Sequence, residues 1–192
     1  MSNLRPVLAL PLMFLLACSG GGGGGDAPAA PASGLSYADP AGVPATAYAL
    51  RRNQALSAPA SHLVLDLYGP ASPVTGSGVV LTLNLDAARA SWAPVAGQAP
   101  VANGSVFADN LEGPPVVVGR ITGAELQVVV MERGTASAKP LTGPLLQIAL
   151  DLNPGQSAGV PVTLPPDLAR SQVQLGTVKP MPDLRVGVIL TR

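Results

Sequence analysis

A chain of 192 residues has room for one ordinary domain with extra segments. Eleven basic and eleven acidic side chains cancel, and only 11% of residues are charged, so there is no cationic footprint for nucleic acid; Arg51-Arg52 is the sole adjacent basic pair. Hydrophobic content of 47% argues against whole-chain disorder, while 21 prolines and 22 glycines disfavour helices and suit short strands joined by turns.

In chain order the first element is MSNLRPVLALPLMFLLAC. One cation, Arg5, precedes an apolar run from Val7 to Ala17. A comfortable transmembrane helix takes about 20 apolar residues. This run is shorter, and Pro6 and Pro11 disfavour a long regular span, so it fits a signal peptide over residues 1–17. Its end, Leu15-Leu16-Ala17-Cys18, resembles the lipobox of bacterial lipoproteins, with an aliphatic residue three before the cysteine and a small one just before it. The resemblance implies lipid transfer onto the Cys18 thiol, cleavage after Ala17 and acylation of the new amino terminus. Each buried CH₂ contributes about 0.8 kcal/mol, so several acyl chains hold a protein on a membrane where one does not. Ser19 after the cysteine implies, by the same resemblance, a place in the cell envelope at the outer membrane. Cys18 is the only cysteine, so no internal disulfide forms and the domain relies on its apolar core.

Residues 18–34 form the next unit. Six consecutive glycines and then DAPAAPASG offer almost nothing larger than Ala or Pro to bury. Such a segment reads as a flexible tether, with a reach of about 5–6 Å × √n, roughly 20–24 Å for its sixteen residues after the cysteine.

From Leu35 to Arg192 the pattern changes. His62–Tyr68 puts Leu63, Leu65 and Leu67 on one face. Gly78–Asp86 puts Val79, Leu81, Leu83 and Leu85 on one face, opposite Thr82 and Asn84. This period-2 alternation predicts strands. Further predicted strands are Val116–Arg120, Glu125–Glu132, Leu145–Leu152, Val160–Leu164, Gln172–Val178 and Leu184–Leu190, separated by Gly/Pro clusters. Two short helical turns are expected, DAARAS capped by Asp86 and DLAR capped by Asp167. Eight or nine strands with one buried face each need a second sheet as cover. The expected fold is therefore all-β, a two-sheet antiparallel β-sandwich, with a closed barrel as the alternative.

HLVLDLYGP, GVVLTLNLDAARASW, GSVFADN and ELQVVVMERG followed by LTGPLLQIALDLNPG resemble, in spacing, the cohesin-like sandwich. The similarity runs over about residues 60–165, through Leu81–Asp86 with Trp92, Gly123–Val130 and Leu146–Leu150. Carbohydrate-binding modules share this architecture. The resemblance implies a non-enzymatic binding or scaffold module with a protein partner, or alternatively a polysaccharide-binding module at the cell surface.

Catalytic and metal chemistry finds little support. His62 is the only histidine, and one imidazole without a cysteine partner makes a poor zinc site. Ser77 lacks the first glycine of a nucleophile elbow, and Ser137 with Lys139 misses the S-x-x-K spacing. Asp109-Asn110-Leu111-Glu112 and Asp151-Leu152-Asn153 carry oxygen ligands in loops but lack the further acids of an EF-hand, so turn formation explains them better. Asn103-Gly104-Ser105 matches a glycosylation sequon and reads as a tight turn. We therefore expect no enzyme, cofactor, metal site or nucleic-acid partner. A sugar platform would need exposed aromatics. The candidate ligand-binding residues are Trp92 and Tyr68, among Tyr37, Tyr48 and Phe107, with Trp92 expected chiefly as a core plug.

Overall fold

The computed structural model describes residues 29–57, 60–97, 99–108, 113–134 and 138–192. Among them the chain runs through β1 (Leu35–Ala38), β2 (Tyr48–Arg52), β3 (His62–Tyr68), β4 (Thr75–Gly76), β5 (Gly78–Asn84), β6 (Ala90–Ala93), β7 (Val101–Asn103) and β8 (Val116–Thr122). It continues through β9 (Glu125–Met131), β10 (Lys139–Pro140), β11 (Pro144–Leu152), β12 (Pro161–Val162), β13 (Gln172–Leu175), β14 (Thr177–Pro180), β15 (Leu184–Arg185) and β16 (Val188–Thr191). One sheet has the order β15-β2-β3-β11-β6, with β7 also on β11; the other is β14-β13-β5-β9-β8. Two small sheets, β1-β16-β12 and β4-β10, accompany them.

Alternation explains the core. Leu63, Leu65 and Leu67 of β3 and Leu146, Ile148 and Leu150 of β11 point inward from one sheet. Val79, Leu81 and Leu83 of β5 and Leu126, Val128 and Val130 of β9 point inward from the other. All twelve are at most 1% exposed, so each strand buries one full apolar face between the sheets. This is the β-sandwich the sequence predicts, and its pairs are antiparallel except β15 on β2, which is parallel.

DAARAS and DLAR hold to expectation, each a single short hydrogen-bonded turn. Asp86 caps the first, its carboxylate accepting from the Ala88 amide at 3.2 Å and pairing with Arg89. Other local expectations change. Gln172–Val178 is not one strand, because the chain reverses at Gly176 (φ 76°) into the β13–β14 hairpin. Leu184–Leu190 likewise divides into β15 and β16, which join different sheets. Asn103-Gly104 is not a tight turn. Asn103 ends β7, and Gly104 is extended at φ −84°. Its glycine has another cause: a Cβ there would lie 2.2 Å from the Pro144 carbonyl oxygen. The packed part also extends upstream of Leu35, since the Ala32, Ser33 and Gly34 amides donate to Gln156 and Arg192 carbonyls.

The DLAR turn is tied to β9 by a two-pronged pair, Arg170 to Glu125, at 2.5 and 2.8 Å. The Arg170 guanidinium, through these hydrogen bonds, holds the Glu125 carboxyl below its ordinary range. A carboxyl lowered in the folded state stabilises above its unfolded pKa, and that contribution is lost as pH falls through the folded value. The expected result is a carbon-13 NMR titration of Glu125 with a midpoint below that of a free glutamate side chain. It should rise in Arg170→Ala, and an unshifted midpoint in the unaltered chain would contradict the pairing.

Candidate functional site

The outer faces of the two large sheets differ. On the six-stranded sheet the chain covers its own face: Val64, Ala93, Val95 and Ala149 form a second buried cluster, with Leu56 and Ala102 packed against it. Beside it Asp66, 6% exposed, accepts from Asn53 Nδ2 at 3.1 Å and from Gln147 Nε2 at 2.9 Å. The Arg51 guanidinium lies 5.0 Å from the centre of the Tyr68 ring, a cation–π contact.

Among the described residues the five-stranded sheet shows no such cover over its middle. Register places Val178, Gln174, Gly78, Met131 and Val116 in one cross-strand row. The next row is Pro180, Gln172, Val80, Val129 and Val118. These side chains alternate with the inward core residues, so they point away from the core. Val178 is 61% exposed, Val118 52% and Val116 39%. Met131 and Val178 rim a hollow of about 210 Å³ that reaches down to Gly78. A Cβ on Gly78 would meet Met131 Cγ at 2.7 Å, so glycine keeps the hollow open. The face is apolar at its centre, with glutamines beside the valines. At one end lie Arg120 and Gln127, paired across β8 and β9.

Local chemistry positions this face. β8 and β9 join through Gly123-Ala124, with Thr122 opposite Glu125. Gly123, at φ 61°, takes the first central position, as a type II′ hairpin turn requires. The far end of β5 is closed by the DLAR turn. The Thr82 amide donates to Ser171 Oγ at 3.1 Å, the Asp167 amide donates to the Thr82 carbonyl, and Thr82 is fully buried.

The aromatics named from sequence do not meet. Trp92 on β6 pairs with Leu150 and lies half-buried against the core, on the inner face. Its indole N–H donates to the Ala124 carbonyl at 2.9 Å and so ties β6 to the β8–β9 turn. Tyr68 shares the outer side of its sheet with Asp66, so the two rings are not one platform. Tyr48 and Phe107 are buried, and burial pushes the Tyr37 and Tyr48 phenols up to about 12. Replacing Trp92 by Phe should cost about 0.5–1.5 kcal/mol, the usual net worth of one hydrogen bond, read from denaturant unfolding.

His62 is no isolated surface group. It starts β3 opposite Asp151 of β11, with Nδ1 at 2.6 Å from Asp151 Oδ1. Ser91 of β6 is the other cross-strand neighbour of Asp151. The carboxylate therefore stands between the serine and the histidine. A nucleophilic triad needs the imidazole in the middle, so this row cannot relay a proton from Ser91 to His62. Cys18, Asp109, Asn110, Glu112 and Ser137 lie outside the described residues. Among the described residues no three His, Cys, Asp or Glu side chains gather as a metal ion would require.

The apolar outer face is the candidate feature that alternation alone missed. Its signal was present in the unbroken runs VVV at 116–118, VVVM at 128–131 and VV at 79–80, where both faces of a strand are apolar.

No family model and no curated protein matches the chain. Solved structures do. The sixth cohesin of scaffoldin B from Acetivibrio cellulolyticus, solved in complex with a dockerin, superposes with a TM-score of 0.53 at 15% identity, covering 74% of this chain and 97% of that one. The solution structure of CaCohA2 from Clostridium acetobutylicum gives a TM-score of 0.53 at 12% identity, covering 76% and 90%. The strands, the two packed sheets and these likenesses agree: the chain carries a cohesin-like β-sandwich.

Proposed function

We propose that this chain is a non-catalytic binding module that grips a protein partner through the apolar outer face of its five-stranded sheet. The observation that carries the reading is the contrast between the two outer faces. One is covered by the chain's own Leu56 and Val95; the other presents Val80, Val116, Val118, Val129, Met131 and Val178 in register. An uncovered apolar patch rimmed by polar side chains is the composition of a protein interface. The cohesin-like fold supports the same reading, and a dockerin-like module is the partner class it suggests. In this reading lipids on Cys18 hold the chain at the cell envelope, at the outer membrane, and the Gly/Pro segment lets the sandwich reorient.

A photoreactive side chain at position 118 tests the interface in envelope preparations. It should give one dominant protein adduct, and the same group at Ser91, on the opposite sheet, should not. Equal adducts from both positions, or none from position 118, would defeat the assignment. Mass spectrometry of the mature amino terminus tests the anchor independently: an acylated Cys18 is expected, and an unmodified terminus at another residue would refute it.

A further inference from the structure

The two large sheets leave a gap where β2 of one stands opposite β13 and β14 of the other. The gap is a cavity of about 350 Å³, lined by Tyr48, Val74, Val173, Leu175 and Pro180, with exposed Lys179 among its walls. That size falls in the range of small-molecule sites. Two of the polar groups lining it, on Tyr48 and Lys179, stand out. Tyr48 is 2% exposed, yet its hydroxyl makes no hydrogen bond with any described residue. Tyr37, the comparable buried phenol, donates to the Leu50 carbonyl at 2.8 Å and accepts from the Gly187 amide at 2.7 Å. The Tyr48 hydroxyl is free to donate to a ligand acceptor. Lys179 forms no ion pair with the described residues, and no carboxylate lines the cavity. The Tyr48 phenol is protonated near neutral pH, as an ordinary phenol is, so it is a donor there.

We propose that this cavity binds a small aliphatic carboxylate. The apolar chain packs against Val74, Val173 and Leu175. The carboxylate accepts from the Tyr48 hydroxyl and is balanced by the Lys179 ammonium. The site is separate from the partner face, so the two readings stand or fall apart.

The test is a titration of the nitrogen-15-labelled full chain with decanoate below its micelle concentration, followed by amide shifts. Saturable shifts are expected at Val173, Leu175 and Lys179. Lys179→Met should weaken binding at least about tenfold, as loss of a charge-assisted bond does, and Tyr48→Phe by about two- to tenfold. Methyl decanoate, which keeps the chain and lacks the charge, should bind at least about tenfold more weakly than decanoate. Lys179 is exposed, so its variant keeps the fold. The proposal is overturned if no shift saturates, if the shifts centre on Val118 and Val129, or if both variants and the ester bind as well as the originals.

Discussion

Replacing Phe107 by alanine should remove about 3–5 kcal/mol of folding stability, the range for truncating a buried aromatic. Phe107 is fully buried within the main apolar cluster. It sits in a single 3-10 turn, Ser105–Phe107, that enters the core straight after Gly104. The Gly104 amide donates to the Leu145 carbonyl at 3.0 Å, and the close Pro144 backbone fixes that entry. A ring held this way cannot be replaced by collapse of its neighbours, because the turn is locked to β11. For a chain of this size the loss should lower the melting temperature by about 6–20 °C. Phe107→Leu, which fills most of the volume, should cost much less. A loss below about 1 kcal/mol in the alanine variant would show that the cluster closes without the ring.

Phe107 also shows where the sequence was legible and where it was not. Strands with clean alternation were readable: His62–Tyr68 matches β3 residue for residue, and the segment predicted at Leu145–Leu152 is β11 with one more residue. Their inward leucines, with Ile148, supply one wall of the core. Short elements were not readable. β1, β2, β6 and β7 have three to five residues each, too few for a period to show, and they exist because neighbours offer free backbone groups. Gly104 looked like a turn because Asn-Gly usually is one. Its real cause is a carbonyl more than thirty residues away, which no local pattern encodes. Gly176 carried the opposite lesson, since a single positive-φ glycine broke an apparent strand into a hairpin. The candidate site was half legible. Alternation identified the inward face of β5 and β9 and drew attention away from the outward one. The aromatics drew it toward Trp92 and Tyr68, which tertiary placement puts on opposite sides of one sheet.

Substituting Val129 by aspartate should weaken partner binding at least about 100-fold. Val129 lies in the middle row of the five-stranded face, flanked by Val80 and Val118. Binding energy concentrates near the centre of an interface, where water is excluded. A carboxylate there must lose its hydration without gaining a partner, and that penalty is several kcal/mol. Val118→Asp, nearer the edge, should cost about tenfold because its charge can stay wet at the rim. Val118 is half exposed, so its substitution should alter stability by no more than about 0.5 kcal/mol. Ser91→Lys places a charge on the other sheet, beside Asp151, and should leave binding unchanged. Titration calorimetry against the cross-linked partner, once purified, measures all three. Unfolding curves run in parallel separate lost contact from lost fold. If Val129→Asp folds and binds as the unaltered chain does, the interface lies elsewhere. The apolar rows would then need another reason to be bare, since a monomer gains nothing by leaving Val116, Val118 and Val178 in water.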